Sequence, residues 1–435
     1  MKNYKLIISL LIIVMMVTSC SQTGESGELI GSTKATGSWF EPVPFGMAFI
    51  RRGSVRIGPS DQDPTGNISQ TRTVSIDAFW MDDTEITNNE YRQFVNWVID
   101  STARSLLYNS SNPNAQYYGN LDDNGQFLSL SWTEPIDWKD TASLEGMFVP
   151  AQERFFGKRE IDARKLYYEY AYIDYQKAAK RANSYNYKTQ SYDGGIADRS
   201  AFIVRNRVNV YPDTLVWVRD FTYSYNEPWT SKYFWHPGFS EYPVVGTTWE
   251  QANAFCEWRS KMQNDFFSKN SEATVMEYRL PTEFEWEYAA RGGLQNSMFP
   301  WGGYYSRNQA GEFMANYKPM RGNYIEDGGL TTMKVANYPP NDYGLYDMAG
   351  NVAEWTSSAY NELSMAQINE LNPDFKYNAL DSDPPALKRK VIRGGSWKDV
   401  GLNIQVSTRD NYEYQDSAKS FIGFRCVRSS FGNNF

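Results

Sequence analysis

The sequence predicts an α+β domain with much irregular backbone and one long insertion, and three observations carry that reading. Three helix starts have reciprocal caps, in which a Thr hydroxyl and a Glu or Gln three residues on satisfy each other's free backbone amides. They are Thr87 with Glu90, Thr248 with Gln251 and Thr282 with Glu285. Short β-branched runs broken by Gly and Asp, such as Thr73-Val74-Ser75-Ile76-Asp77-Ala78-Phe79-Trp80-Met81, read as irregular strands. Between the first two helices the chain runs for about 140 residues, Ser101 to Glu241, longer than any simple connection in a compact domain.

In chain order, Lys2 and Lys5 precede an apolar run, Leu6 to Val17, which ends in Val17-Thr18-Ser19-Cys20. This reads as a lipoprotein signal peptide, residues 1–19, with Cys20 as the lipidated first residue of the mature chain. The run is too short to span a bilayer as a stop-transfer helix. A single acyl chain anchors only marginally, so stable attachment implies more than one chain on Cys20. A polar tether follows, residues 20–37, and a single domain is expected over 38–435 with the insertion at about 101–241. The first capped helix places Tyr91, Phe94, Val95 and Val98 on one face, and the second places Ala252, Phe255, Cys256 and Arg259 similarly. Within the insertion, Gln152 to Ala182 is predicted helical and Leu215 to Phe221 strand-like. The remainder is rich in Gly, Pro, Asn and Trp, a texture whose loops need cations or a cross-link to satisfy and restrain them.

Charge and composition exclude several functions. Losing Lys2 and Lys5 with the signal peptide takes the formal charge from −8 to −10, so no basic stripe is available for nucleic acid or anionic lipid. The chain has 31 Tyr and 14 Trp, more than a core requires and suited to amphipathic contact surface. Two cysteines remain after Cys20, namely Cys256 and Cys426. An exported pair is expected to be bridged, the alternative being two buried thiols packed as small hydrophobes. His236 is the only histidine. It cannot build a multi-histidine metal centre, and with no nucleophile motif nearby it reads as structural.

Four segments in fixed order carry a family resemblance: Leu280 to Gly293 (LPTEFEWEYAARGG), Gly344 to Trp355 (GLYDMAGNVAEW), Arg393-Gly394-Gly395-Ser396-Trp397, and Gly423-Phe424-Arg425. Together they resemble the formylglycine-generating-enzyme (sulfatase-modifying factor) domain, over roughly 45–100 and 242–428. The resemblance implies that family's fold, related to C-type lectins. Its enzymes use two cysteines after the Arg-Gly-Gly-Ser, and here Asp399 and Ile404 stand in those places. Neither can bind copper(I) or supply a thiolate, and one histidine does not serve an iron branch, so neither copper nor iron is expected. The resemblance also implies structural Ca²⁺ at two sets of oxygens: Asp347, Gly350, Val352 and Glu354, and Asn316, Tyr317, Asp327 and Gly329. It pairs Cys256 with Cys426 as a structural disulfide.

A narrower resemblance adds the Cys20 box, Gly27-Glu28-Leu29-Ile30-Gly31, Pro44-Phe45-Gly46-Met47, Trp80 to Phe94 and the long insertion. This set is similar to the GldK/PorK lipoproteins. It implies a non-catalytic, lipid-anchored component of a type IX secretion and gliding-motility machine, on the periplasmic side of the outer membrane. It further implies self-association in a ring with a GldN/PorN-type partner. Two other readings compete with this scaffold role. One is a cleft enzyme, either formylglycine-generating or a hydrolase built on Asp399, Asp410 and Glu413, and the other a lectin-like module binding peptide or glycan. The insertion's aromatics offer contact area at low side-chain entropy cost, the composition enriched at interfaces, although some must fill an enlarged core.

Overall fold

The computed structural model describes residues 40–58, 71–110, 114–122, 126–224, 226–409 and 412–431. Cys20, the tether and Asp410 lie outside the described residues. Residues 43–431 belong to one compact unit, and residues 40–42 fall in a separate terminal unit.

The chain begins with β1 (Met47–Ile50), β2 (Gly53–Ile57), β3 (Arg72–Ile76) and β4 (Phe79–Asp82), followed by α1 (Asn88–Tyr108). The insertion contributes β5 (Gly119–Leu121), β6 (Phe127–Leu130), β7 (Tyr167–Ile173), α2 (Tyr175–Ala179), β8 (Tyr185–Asn186), β9 (Ser191–Tyr192), β10 (Ile203–Asn209), α3 (Val216–Asp220) and α4 (Pro228–Lys232). Then come α5 (Trp249–Lys269), β11 (Tyr278–Arg279), α6 (Glu283–Ala290), β12 (Ala353–Ala359) and α7 (Ser364–Gln367). The chain closes with β13 (Arg389–Arg393), β14 (Tyr412–Tyr414), β15 (Ile422–Gly423) and β16 (Val427–Ser429). Two four-stranded sheets organise the body, ordered β1-β4-β16-β11 and β14-β13-β12-β15. All neighbours are antiparallel except β12 with β15, which run parallel. The class is α+β, with 291–352 forming a long stretch without a named helix or strand.

All three capping boxes form, at Thr87, Thr248 and Thr282. Satisfying the first-turn amides locally fixes where each helix begins, and burial then orients it. On α1 the face carrying Tyr91, Phe94, Val95 and Val98 is fully buried, and it continues through Ala103 and Leu107. Residues 101–108 therefore belong to this helix, and the insertion starts after it. Tyr91 stacks on Phe255 of α5 at 5.7 Å and meets Phe424 edge-on at 6.2 Å. Arg259, on the same side of α5, pairs with Asp82 of β4 at 2.8 Å. Helix, helix and sheet thus share one core.

The structure corrects two readings of the insertion. Gln152 to Ala182 is not a helix: it comprises short 3-10 turns, β7 and the five-residue α2. Tyr168, Tyr170 and Tyr172 recur at period two, so a strand puts all three on one face. They stack there in series, at 5.9 and 6.4 Å, while β7 pairs along its whole length with β10. Segment 215–221, read as strand-like, holds α3. The Asp213 carboxylate accepts the Leu215 amide at 2.9 Å, and one helical turn sets Trp217 and Phe221 on one face. A strand would have put Arg219 on that buried side; as built, it pairs with Asp213 at 2.7 Å.

Candidate functional site

The Arg393-Gly394-Gly395-Ser396-Trp397 segment leaves the end of β13 and is held by buried charge. Arg393 donates to Glu287 of α6 at 2.8 Å and to the Thr408 carbonyl at 2.8 Å. Glu287 also accepts from Arg291 at 2.7 Å, and Glu283 is gripped by Arg409 through two bonds at 2.6 and 3.0 Å. The two glycines have φ of 88° and 66°. A Cβ on Gly394 would lie 3.1 Å from the Trp286 ring, and one on Gly395 would lie 2.7 Å from the Asn403 carbonyl oxygen. Only glycine lets the backbone pass there without strain.

Where the family places its two thiols, the side chains are otherwise engaged. Asp399 accepts from the Ser396 hydroxyl at 2.6 Å and from the Asn403 amide at 3.2 Å. Ile404 is wholly buried among Met298, Phe299, Ala315, Tyr317 and Ala349. The insertion lies over the adjoining position. Trp217 and Phe221 both stack on Trp397, each at 5.8 Å, and Asp220 pairs with Lys398 at 2.7 Å while its other oxygen accepts from the Ser420 hydroxyl. Glu413 pairs with Lys419 at 3.5 Å. His236 is exposed and accepts the Gly238 amide at 3.0 Å, capping a 3-10 turn.

The two oxygen sets differ in how well they suit a cation. In the first, both Glu354 oxygens are already used. One accepts from Trp286 Nε1 at 2.7 Å and Arg425 Nε at 2.8 Å, and the other from Arg425 Nη2 at 2.6 Å. Asp347, at φ 55°, accepts the Ala336 amide at 2.7 Å. A third carboxylate, Glu85, sits behind the same loop and accepts from the Val352 amide at 3.1 Å and the Asn351 side chain at 2.7 Å. Burial, with Asp347 and Glu354 nearby, pushes the Glu85 carboxyl well above its ordinary range. Burial likewise takes Asp347 up to about 6. With its Glu354 side chain committed to Arg425, this set does not fit as a four-oxygen cage.

The second set fits better. Asn316 Oδ1 is buried with no hydrogen-bond partner, although its Nδ2 donates to the Thr331 carbonyl at 2.9 Å and to Asn351 at 3.2 Å. A Cβ on Gly329 would stand 2.8 Å from that orphan oxygen. Asp327 closes the turn by accepting from the Tyr317 amide at 2.6 Å and the Gly329 amide at 3.2 Å. An unpartnered amide oxygen next to the turn that the Asp327 carboxylate closes, with the carbonyls of Tyr317 and Gly329 that the resemblance adds, is the mixed oxygen chemistry that Ca²⁺ takes. Among the described residues no group of three or more His, Cys, Asp or Glu side chains is placed to hold a metal, so a cation here would rely on amide and carbonyl oxygens.

Cys256 and Cys426 come together in the core, their sulfurs 3.3 Å apart and both buried. The insertion's aromatics divide in two. Tyr168, Phe202, Trp217, Tyr233 and Phe234 are buried, while Phe155, Phe156, Tyr175, Tyr187 and Tyr223 are exposed. Sequence reasoning missed Glu85, because nothing local distinguishes it from other acids in the Trp80–Phe94 block. It also missed that Arg425, already part of a recognised motif, is the partner of Glu354.

The chain is similar to several known proteins. Over 193 residues the chain is 36% identical to the inactive C-alpha-formylglycine-generating enzyme 2 of Bos taurus, covering 43% of this chain and 50% of that protein. Over 197 residues it is 35% identical to the formylglycine-generating enzyme of Bos taurus, covering 43% and 44%. The chain thus spans about half the length of these relatives. A solved structure, PvdO from Pseudomonas aeruginosa, matches 88% of this chain and 94% of its own at 15% identity and a TM-score of 0.46. The model of the sulfatase-modifying factor enzyme 1-like domain matches residues 41–430, and the chain belongs to that family.

Proposed function

We propose that this protein is a non-catalytic member of the family, a lipid-anchored structural component of a type IX secretion and gliding-motility machine at the periplasmic face of the outer membrane. It assembles as a ring and docks a GldN/PorN-type partner through its insertion. The observation that carries the non-catalytic reading is the state of the inherited cleft. Asp399 and Ile404 stand in the thiol positions, and Trp217 and Phe221 cover Trp397 beside them. An inactive enzyme among the relatives supports it. The machine and partner rest on the resemblance at Val17 to Cys20, Pro44 to Met47, Trp80 to Phe94 and the insertion. Lipid on Cys20, a Cys256–Cys426 bridge formed on export, and Ca²⁺ at Asn316, Tyr317, Asp327 and Gly329 belong to the same reading.

The insertion's outer tip allows a clean test. The Asp174 amide donates to the Phe202 carbonyl at 2.8 Å, so residues 175–201 can be replaced by a short turn without opening the β7–β10 ladder. Exposed Tyr175 and Tyr187 leave with the tip, while Tyr168 stays in the core. Removing it is expected to leave melting and membrane attachment intact while the periplasmic partner no longer co-purifies from membranes. Normal recovery of the partner by this variant would refute docking through the tip.

A further inference from the structure

A cavity of about 460 Å³ opens between the β7–β10 hairpin, α5 and the 376–381 segment, and its lining includes neither the Asp399 region nor the two candidate calcium loops. One wall is aromatic, from Tyr170, Tyr172 and Trp249. The charged residues of the lining are unevenly matched. Its cations are committed elsewhere: Arg207 to Glu169 at 3.2 Å, Arg279 to Glu285 at 2.6 Å and Lys376 to Asp374 at 3.1 Å. Its acids, Glu250, Glu257 and Asp381, form no ion pair among the described residues. Two cations stand behind this wall. Lys390 lies 3.8 Å over the Trp249 ring with its ammonium on the Tyr377 carbonyl, and Lys388 donates to the Asp381 main-chain carbonyl.

Two buried polar atoms of the same lining lack partners: Oε1 of Gln415, a residue 3% exposed, and Oγ of Ser357, a residue 8% exposed. Gln415 Nε2 already donates to Glu250 at 3.2 Å and to the Ala379 carbonyl at 3.1 Å. That orientation leaves its oxygen as an acceptor awaiting a donor, and a buried acceptor without one is costly. The lining therefore combines carboxylates, an unpartnered amide oxygen and aromatic rings, a set that suits a flat cation with several N–H donors.

We propose that this cavity binds the guanidinium of an arginine carried by a peptide segment. Its donors lie in a fixed plane that suits the carboxylates of Glu250 and Glu257, two turns apart on α5, and the Gln415 amide bonded to Glu250, and the plane stacks on tyrosine or tryptophan. Burial and the neighbouring Glu277 push the Glu257 carboxyl up to about 7, as expected where an acid lacks its counter-ion. The site is independent of the secretion reading, since it requires only the cavity and its chemistry.

The test is calorimetric titration of the purified full chain with acetyl-Gly-Arg-Gly-amide and with the same peptide carrying citrulline, a neutral isostere of arginine. The arginine peptide is expected to bind saturably, and the citrulline peptide at least about tenfold more weakly, the worth of a charge-assisted hydrogen bond. Glu250→Gln with Glu257→Gln, which keep side-chain shape, should cost about the same factor at unchanged melting temperature. Equal binding of both peptides overturns the proposal, as does no saturation by about 20 mM, beyond the weak end of specific binding. Saturable binding of N-acetylglucosamine oligosaccharide in place of the arginine peptide would overturn it in favour of a neutral glycan. The citrulline comparison needs no variant, so a misfolded double variant does not leave the question open.

Discussion

Glu354→Gln separates two roles that the same carboxylate could hold. Its oxygens take three hydrogen bonds, two from Arg425 and one from Trp286, and both members of the ion pair are fully buried. Glutamine keeps the volume but removes the charge, and it turns an NH₂ toward a guanidinium that has only donors to offer. Losing one partner of a buried pair costs about 3–5 kcal/mol. Arg425 retains the Asp82 and Tyr346 carbonyls at 3.1 and 2.9 Å, and the Glu85 and Asp347 carboxyls also lie near it. The expected loss therefore lies at the low end, about 3 kcal/mol.

A body of this size unfolds with an entropy of about 0.8 kcal/mol/K, from about 2.1 cal/mol/K per residue, so the midpoint should fall by about 4 °C. Thermal unfolding followed by tryptophan fluorescence, with and without a calcium chelator, reads the difference. As the partner of Arg425, Glu354 contributes equally in both conditions. The reasoning is refuted if the loss disappears under chelation, because a carboxylate serving chiefly as a cation ligand stops mattering once the cation is gone.

Two further outcomes are expected. Chelation should lower the midpoint of the parent chain by about 3 °C if free Ca²⁺ stood a hundredfold above its Kd, since mass action then supplies about 2.7 kcal/mol. Asn316→Leu, which removes the orphan oxygen, should abolish that response, and an unchanged response would clear Asn316 of the role. Lys390 is lowered to about 7, chiefly by burial, so between about pH 7 and 10.5 the unfolded chain binds a proton that the folded chain does not. Stability then rises with pH across that window; Lys390→Met should be more stabilising near pH 6 than near pH 10, and denaturant midpoints showing no such pH difference would contradict the assignment.

What could be read in advance was local chemistry. A capping box lies within four residues, so Thr87, Thr248 and Thr282 announced their helices, and the stripe from Tyr91 to Val98 followed from a period of 3.6. The insertion resisted the same treatment because its decisions are made at a distance. Charges around Arg154 to Arg164 suit a helix, yet the Tyr168-Tyr170-Tyr172 alternation is settled by β10, which begins some 30 residues later. The valines of 216 and 218 favour a strand by propensity, but Trp217 and Phe221 turn to meet Trp397, about 180 residues on. Tertiary packing overrode propensity in both. The site shows the same limit. The motif puts Asp347 and Glu354 close in sequence, while Arg425, which pairs with Glu354, and Glu85, which accepts from the loop between them, are separated from them by 71 residues and more.

The persistence of Arg393-Gly394-Gly395-Ser396-Trp397 in a chain without the two thiols has a physical explanation in the frame around it. Arg393 joins Glu287 of α6 to the Thr408 carbonyl, and Arg409 joins Glu283 of the same helix to the loop after Ile404. These charges are almost fully buried and shared, Glu287 between Arg393 and Arg291 and Glu283 between Arg409 and Arg393, so removing one of them would unbalance a buried network, whatever the loop does chemically. Gly394 and Gly395 are fixed for a separate reason, because side chains there would meet Trp286 and Asn403. The signature is therefore a statement about how α6, β13 and the 396–409 loop pack. Reactivity depends on only two positions of that loop and on the space in front of them. On the proposed reading both are lost: Asp399 and Ile404 supply no thiolate, and Trp217 and Phe221 take the space over Trp397. Cysteines restored at 399 and 404 would place one thiol in the apolar cluster of Met298 and Phe299, where burial keeps it protonated, so two substitutions alone would not return the chemistry.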